Sequence, residues 1–170
     1  MSKLLSFDFW QRFGKSLIVV IAVMPAAGIM ISLGKVVAMY AGGIGAVETL
    51  GSIMENIGWG IIVNLHLLFA VAIGGSWAKE RAGGAFAALI AFILINRITG
   101  VILGVDNAML ADPDAIVMSL FGTELPVSQF FTNILGAPAL NMGVFIGIMS
   151  GYLVPTYTTV ITISLAYLRH

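Results

Sequence analysis

The chain has 170 residues, of which 59% are hydrophobic and 9% charged, and its mean hydropathy is +1.04. Soluble domains carry about 25% charged residues, so this composition indicates an integral membrane protein. Basic and acidic residues balance to a net charge of zero, so nothing suggests a nucleic-acid partner. There is no cysteine, which excludes disulfides, thiolate metal sites and a cysteine nucleophile.

The first 15 residues interleave aromatic and basic side chains, including Phe7, Phe9 and Trp10 beside Arg12 and Lys15. Aromatic rings and cations favour the headgroup level of a bilayer. We expect residues 1–15 to form a short helix in the membrane interface, with a frayed polar tail as the alternative. A cleaved signal peptide is not expected, because the apolar run that begins near residue 16 is too long.

The first predicted span covers residues 16–34, which contain no charge and would form a helix about 28 Å long, close to the hydrocarbon thickness. Pro25 lies in its middle and should bend the helix axis. Residues 36–56 include a glycine cluster and the acids Glu48 and Glu55. That segment is expected to be a weakly amphipathic connection, with a short interfacial helix rather than a span.

The second predicted span covers residues 57–76 and is flanked by Trp59 and Trp77 as interface anchors. A charged turn at residues 79–81 (KER) separates it from a third span over residues 82–103. Gly84 and Ala88 lie four residues apart on the third span, a spacing that lets helix backbones approach closely.

Residues 105–137 are acidic and too polar to cross a membrane. The last clear span is expected at residues 140–155. It contains Gly143, Gly147 and Gly151, a GxxxGxxxG pattern that places the glycines along one ridge of a helix. The pattern predicts a tight helix contact, within one protomer or between two, with chance in a glycine-rich chain as the alternative.

The sequence therefore predicts an all-α integral membrane fold with about four transmembrane helices and short interfacial helices. Six basic residues fall on one side of the predicted membrane and only Lys35 on the other, together with six of the eight acids. Since basic residues concentrate in cytoplasmic segments, both termini of a multi-pass chain are predicted to be cytoplasmic.

Four polar residues at membrane depth are candidates for contact with a solute, because burying them in lipid is unfavourable. Asn64 and His66 lie near the centre of the second span, and Asn96 and Arg97 lie in the third. A neutral imidazole bonded to a neighbouring helix is the alternative for His66. For Arg97 the alternatives are a side chain that reaches the interface or pairs with Asp106 or Glu55.

Metal binding has no support in the sequence, because the only other histidine is His170. No Ser/His/Asp set, phosphate-binding glycine loop or pair of catalytic acids can be assembled, and no cofactor is predicted. The residues alone thus indicate a small helical membrane protein of unknown cargo.

Three stretches add a family resemblance. They are FWQRFGKSLIVVIAVMPAAGIMISLGK (9–35), NLHLLFAVAIGGSWAKERAGGAFAALIAFILINRITG (64–100) and LGAPALNMGVFIGIMSGYLVP (135–155). These resemble the N-terminal half of the membrane IIC component of phosphotransferase-system sugar permeases, in the glucose, maltose and N-acetylglucosamine branch. GKSL followed by PAAGI, FAVAIGGSWAK and APALNMGVFIG are the most specific pieces. Residues 1–155 are accordingly expected to be the N-terminal part of a IIC domain.

The resemblance implies a homodimeric transporter of the bacterial cytoplasmic membrane that takes part in phosphoenolpyruvate-dependent sugar uptake and phosphorylation. In that family the IIC domain passes sugar to a IIB phosphocysteine, which is charged by a IIA phosphohistidine. The first helices build mainly the dimer interface, and most sugar contacts come from the second half. No sugar-contact residue is therefore carried over to this sequence.

Residues 156–170 depart from the family pattern. The peptide YTTVITI (157–163) can be encoded so that a shift by one base reads Leu-Tyr-Asn-Arg-Tyr-Tyr-Asn, close to the family continuation, which suggests a frameshift and an early end to the chain. Two functions stay open: a truncated IIC component of a sugar permease, or a non-transporting helix module that dimerises with or modulates a full-length IIC. The DNA sequence would decide whether the tail is a frameshift.

Overall fold

The computed structural model describes residues 7–154 as eight helices and four short strands. The helices are α1 (Phe7–Ile21), α2 (Met24–Met39), α3 (Gly45–Val63), α4 (Leu65–Trp77), α5 (Arg81–Ile102), α6 (Asn107–Ala111), α7 (Val127–Phe130) and α8 (Val144–Val154). The strands are β1 (Ile116–Met118), β2 (Glu124–Pro126), β3 (Phe131–Ile134) and β4 (Ala137–Leu140). The predicted tail at 156–170 lies outside the described residues.

The first apolar stretch is a helix interrupted at residues 22–23, which separate α1 from α2. Pro25 lies in the first turn of α2. The N–H groups of a first turn have no partner within the helix, so the N–H that proline lacks costs no hydrogen bond there. The interruption lies just before Pro25, Phe7–Met39 counts as one apolar stretch, and that stretch is longer than the predicted residues 16–34. Residues 7–15 are the start of α1 and continue into the span, so the prediction of a separate interfacial helix is wrong there. Residues 1–6 lie outside the described part.

The prediction for residues 36–76 is corrected in two places. Residues 45–56 belong to the 19-residue helix α3, which packs along α2, rather than to a short connection. The predicted span at 57–76 is broken at Asn64, where α3 and α4 meet at a bend of 57°. The glycines at 42 and 43 adopt positive φ in the turn between α2 and α3, so the cluster ends one helix without preventing the next.

Two helical stretches are long and apolar enough to cross a membrane: Phe7–Met39 with 33 residues and α5 with 22. The bent pair α3 and α4 makes a third if it is counted as one span. The predicted number of about four is not reached within residues 7–154, because α8 extends for only about 17 Å before the described part ends. Ile18, Leu33 and Val101 are among the many large apolar side chains exposed on these helices. The class of fold is that of a helical integral membrane protein.

The acidic segment contains two β-hairpins that the all-α prediction did not include. β1 pairs with β2, and β3 pairs with β4, in both cases antiparallel. Leu135 and Gly136 connect β3 to β4 with φ of 50° and 80°. Positive φ at both positions of a two-residue loop matches the twist of the adjoining strands. The second hairpin packs against α5, where the carbonyl oxygen of Pro138 lies against Gly100.

Some of the buried apolar residues pack together in two clusters. One lies in the connecting segment and contains Val105, Val117, Val127 and Phe131. The other joins α4, α5 and α8 through Ala70, Phe92 and Ile146. Helix α1 packs against α4, so the described helices form a bundle of α1, α4, α5 and α8 beside the α2–α3 hairpin.

Candidate functional site

Small residues bring α4 and α5 together. A Cβ built on Gly84 would meet the carbonyl oxygen of Gly74 and the side chain of Ala78, and one built on Gly74 would lie 2.6 Å from the carbonyl oxygen of Gly84. Ala88 is fully buried, and its Cβ occupies the space beside Gly74. The predicted pair Gly84 and Ala88 therefore lies in a helix contact within the chain.

Two of the three glycines of the predicted ridge pack α8 onto α4. A Cβ on Gly147 would meet the backbone carbonyl of His66, and one on Gly151 would lie 2.9 Å from the carbonyl oxygen of Ala70. Gly143 differs: it precedes the helix, has φ of 53°, and no atom lies within 4 Å of a Cβ built on it. The prediction that all three share one helical ridge is wrong for Gly143, because Gly143 lies in a turn that precedes α8.

His66 lies in the first turn of α4, facing α5. Its imidazole packs against the ring of Phe92 at a centroid distance of 5.1 Å and a tilt of 32°, and it interacts with the backbone of Val63. The same residue's backbone carbonyl contacts Gly147. His66 thus joins α4 to both α5 and α8, through its ring to Phe92 and through its backbone carbonyl to Gly147.

Asn64 forms the break between α3 and α4. Its side-chain Nδ2 donates to the carbonyl oxygen of Gly60 at 2.7 Å, and its backbone N–H donates to the carbonyl of Ile62. Its own carbonyl accepts from Leu67 and Leu68 as α4 begins. An amide side chain can take over a carbonyl that the interrupted helix leaves exposed, which lets the backbone turn inside an apolar environment.

Asn96 is 2% exposed on α5, one turn after Phe92. Its Nδ2 donates to the carbonyl oxygen of Phe92 at 2.8 Å, while its Oδ1 has no hydrogen-bond partner among residues 7–154. A buried acceptor without a donor is destabilising, and in native proteins it calls for an explanation. Among the four candidates, Asn96 is the one with a buried side-chain acceptor that no described residue hydrogen-bonds.

Arg97 follows Asn96 on α5 and is exposed, whereas Asn96 is buried. The acids considered as its partners are engaged elsewhere: Glu55 pairs with Lys35 at 3.6 Å, and the Asp106 carboxylate accepts from the backbone N–H of Met109. Pairing of Arg97 with either acid is therefore not observed. The structure brings His66 into contact with Phe92, one turn before Asn96 on α5, whereas Asn64 bonds to Gly60 of α3 and Arg97 is exposed. A role in contacting sugar stays a prediction for all four.

The helix contact between α2 and α3 was missed by the sequence reasoning. Gly34 and Gly51 pack against each other, and a Cβ on Gly58 would lie 2.5 Å from the carbonyl oxygen of Ala27. The signal was present in the spacing, since Ala27 and Gly34 on α2, like Gly51 and Gly58 on α3, are seven residues apart. Seven residues make about two helical turns, which places both members of each pair on one face.

The site has the chemistry of a packed membrane interior. Within residues 7–154, no group of three histidine, aspartate or glutamate side chains could hold a metal ion. Among the four candidate residues, Asn64 and Asn96 carry amides, His66 an imidazole and Arg97 a guanidinium, and the amides and the imidazole can hydrogen-bond a neutral polar solute. Such groups can bind a solute and orient it.

Comparison with known proteins adds the family. The family model described as phosphotransferase system, EIIC matches residues 14–163. The glucose-specific EIICBA component of the PTS system of Streptococcus pneumoniae is 64% identical over 148 residues, covering 87% of this chain and 20% of that protein. The component of the same description from Staphylococcus carnosus is 31% identical over 156 residues, covering 86% and 21%. The chain thus spans about a fifth of the length of these curated relatives.

The paired apolar helices define an integral membrane protein with close glycine contacts. The match over residues 14–163 gives the particular family: the chain belongs to the phosphotransferase system EIIC family. It represents the N-terminal portion of a IIC domain of the glucose type.

Proposed function

We propose that this chain serves in phosphoenolpyruvate-dependent uptake and phosphorylation of a glucose-type sugar, as the N-terminal membrane segment of the IIC component. The observation that carries the proposal is the 64% identity over 148 residues to a protein described as a glucose-specific EIICBA component. The description of that relative also names B and A parts, and IIB and IIA phosphocarrier domains are accordingly the proposed partners.

The proposed contribution of this segment is structural. Glycine contacts fix α4 against α5 and α8, while the α2–α3 hairpin exposes large apolar side chains, among them Ile29, Leu33 and Ile57. Exposed apolar side chains on a membrane helix face either lipid or another helix. We assign the hairpin to the interface of a homodimer, with lipid around the remaining surface.

The proposed orientation places the N-terminus in the cytoplasm, in a multi-pass chain of the bacterial cell membrane. In support, Arg12 and Lys15 of α1 line the same cavity as Arg81 at the start of α5. These residues belong to two segments that the positive-inside rule places on the cytoplasmic side. An even number of membrane crossings between α1 and the start of α5 would return the chain to the same side, and the proximity of these residues agrees with that.

A chimera tests the proposed function. Residues 14–163 of this chain would replace the matching segment of the Streptococcus pneumoniae relative, produced in cells that lack their own glucose permeases. We expect glucose uptake and phosphoenolpyruvate-dependent phosphorylation at a rate within about tenfold of the unmodified relative, because a segment with the same role should sustain transport. The matched control carries Gly84→Leu, which should abolish uptake because a side chain there meets the backbone of α4. A chimera that reaches the membrane intact and takes up no glucose would contradict the proposal.

The second candidate function is a non-transporting module that binds a full-length IIC. It is favoured by one observation: the helix contacts of α2 with α3 and of α4 with α5 are completed within the described residues. Producing this chain beside the unmodified relative distinguishes the two. Co-purification with a fall in glucose uptake would support the module, whereas uptake unchanged at equal expression would reject it.

A further inference from the structure

A cavity of about 500 Å³ lies between α1, α4 and α5, and three of its lining residues are cations. Arg12 and Lys15 come from α1, and Arg81 is the first residue of α5. No acidic residue lines this cavity. None of these cations took part in the helix contacts or in the candidate sugar site described above.

The three cations have no carboxylate partner in the described part of the chain, where the one ion pair joins Lys35 to Glu55. Asp8 and Glu80 are near in sequence but do not line the cavity. The Glu80 carboxylate is directed instead toward Gly83, 2.8 Å from where a Cβ would stand on that glycine. Three like charges around one space repel each other, and a bound anion relieves that repulsion.

The rest of the cavity wall is apolar or small and includes Val19, Val71 and Ala85. Val19 is seven residues after Arg12, which places it about 10 Å further along the helix toward the membrane interior. The charged end of the cavity lies at the level of Trp77, where α4 ends and where aromatic side chains mark the bilayer interface. The cavity therefore has a cationic end at headgroup depth and an apolar wall that continues toward the acyl chains.

We propose that this cavity binds the phosphate headgroup of an anionic phospholipid. Basic pockets between transmembrane helices recognise such headgroups, and each Lys or Arg at the membrane surface contributes about fivefold to the affinity. A soluble phosphate would use only the cationic end, whereas a phospholipid also places an acyl chain along Val19 and Val71. The proposal does not depend on which side of the membrane is cytoplasmic.

The test is a lipid titration of the purified full chain in detergent, followed by native mass spectrometry. Phosphatidylglycerol and phosphatidylcholine with the same acyl chains are compared at equal concentration. We expect the protein to retain phosphatidylglycerol preferentially. The variant R12Q/K15Q/R81Q should lose roughly a hundredfold in affinity for it. The matched control K35Q/K79Q/R97Q removes the same charge at residues that do not line the cavity, and it should bind phosphatidylglycerol as the unmodified chain does.

Three results would overturn the proposal. Equal retention of the two lipids by the unmodified chain would show that charge does not select the ligand. An equal loss in both triple variants would show that net charge, and not this cavity, attracts the lipid. Glycerol 3-phosphate or inorganic phosphate binding as tightly as phosphatidylglycerol would show a site for soluble phosphate, since the acyl chain would then contribute nothing. The first and third comparisons use the unmodified chain and are independent of how the variants fold.

Discussion

Gly34 and Gly51 pack face to face where α2 meets α3. A Cβ built on Gly34 would lie 2.6 Å from the carbonyl oxygen of Gly51, and one built on Gly51 would lie 2.6 Å from that of Gly34. Both obstacles are backbone atoms, which cannot rotate away as the end of a side chain can. This reciprocal contact sets the distance between the two helices.

Replacing Gly34 or Gly51 with alanine is expected to separate α2 from α3. The free energy of unfolding should fall by about 1–3 kcal/mol, the usual range for an overpacked contact. Denaturant unfolding of the full chain in detergent, followed by circular dichroism, measures the change. Gly28→Ala is the matched control, because Gly28 lies on the same helix with no atom within 4 Å of its Cβ position. A loss at Gly28 equal to that at Gly34 would contradict this account.

The break at Asn64 gives a second prediction. Asn64→Leu removes the bond from Nδ2 to the carbonyl oxygen of Gly60, so the free energy of unfolding should fall by about 1 kcal/mol. Asn56→Leu is the control: Asn56 makes the same kind of bond to Ser52, at 2.8 Å, but inside the continuous helix α3. Its replacement should leave stability nearly unchanged. The same unfolding assay applies, and equal effects at both sites would show that the break does not need the amide.

The unpaired oxygen of Asn96 gives a third prediction. Asn96→Leu keeps a branched side chain of similar shape and removes a buried acceptor without a donor. We expect the free energy of unfolding to rise by about 1 kcal/mol, since burial of an unsatisfied polar group is unfavourable. In the glucose-transporting chimera the same change should reduce uptake if the amide faces the sugar path. A variant that is less stable than the unmodified chain would show that Asn96 contributes chiefly to packing.

Orientation can be tested directly, because the chain has no cysteine of its own. Lys79→Cys, in the turn between α4 and α5, should resist a membrane-impermeant maleimide in intact cells and react after permeabilisation. Tyr40→Cys, in the turn between α2 and α3, is the comparison site and should react in intact cells. Tyr40 is 78% exposed, so access to the reagent is not limited by burial. The opposite labelling pattern would reverse the proposed orientation.

The sequence predicted α5 almost to the residue, because an apolar run whose one charge is Arg97 lies between a charged turn and an acidic segment. It also identified Gly84 and Ala88, whose four-residue spacing matches a helix face. The contact of Gly34 with Gly51 was missed because seven-residue spacing was not searched for, and because residues 42–45 made the neighbouring stretch resemble a loop.

Other differences have a different physical cause. The break at Asn64 depends on an amide that bonds to Gly60 within one turn, and average hydrophobicity carries no sign of such a bond. The hairpin β3–β4 depends on positive φ at Leu135, a conformation that its residue type does not suggest. For the candidate polar residues, the hydrophobic pattern of the sequence predicted how deep along each helix they lie. Which face each occupies, and that Asn96 is buried while Arg97 is exposed, required the packed helices.

The two interruptions at residues 22–23 and 64 share a consequence. They are the points where the α2–α3 hairpin joins the rest of the described chain, one on each of its helices. The regular helix is interrupted at both points, while the two helices of the hairpin are held to each other by their glycine contacts. Within the described residues the α2–α3 hairpin is thus a packing unit of its own, bounded at each end by a helix break.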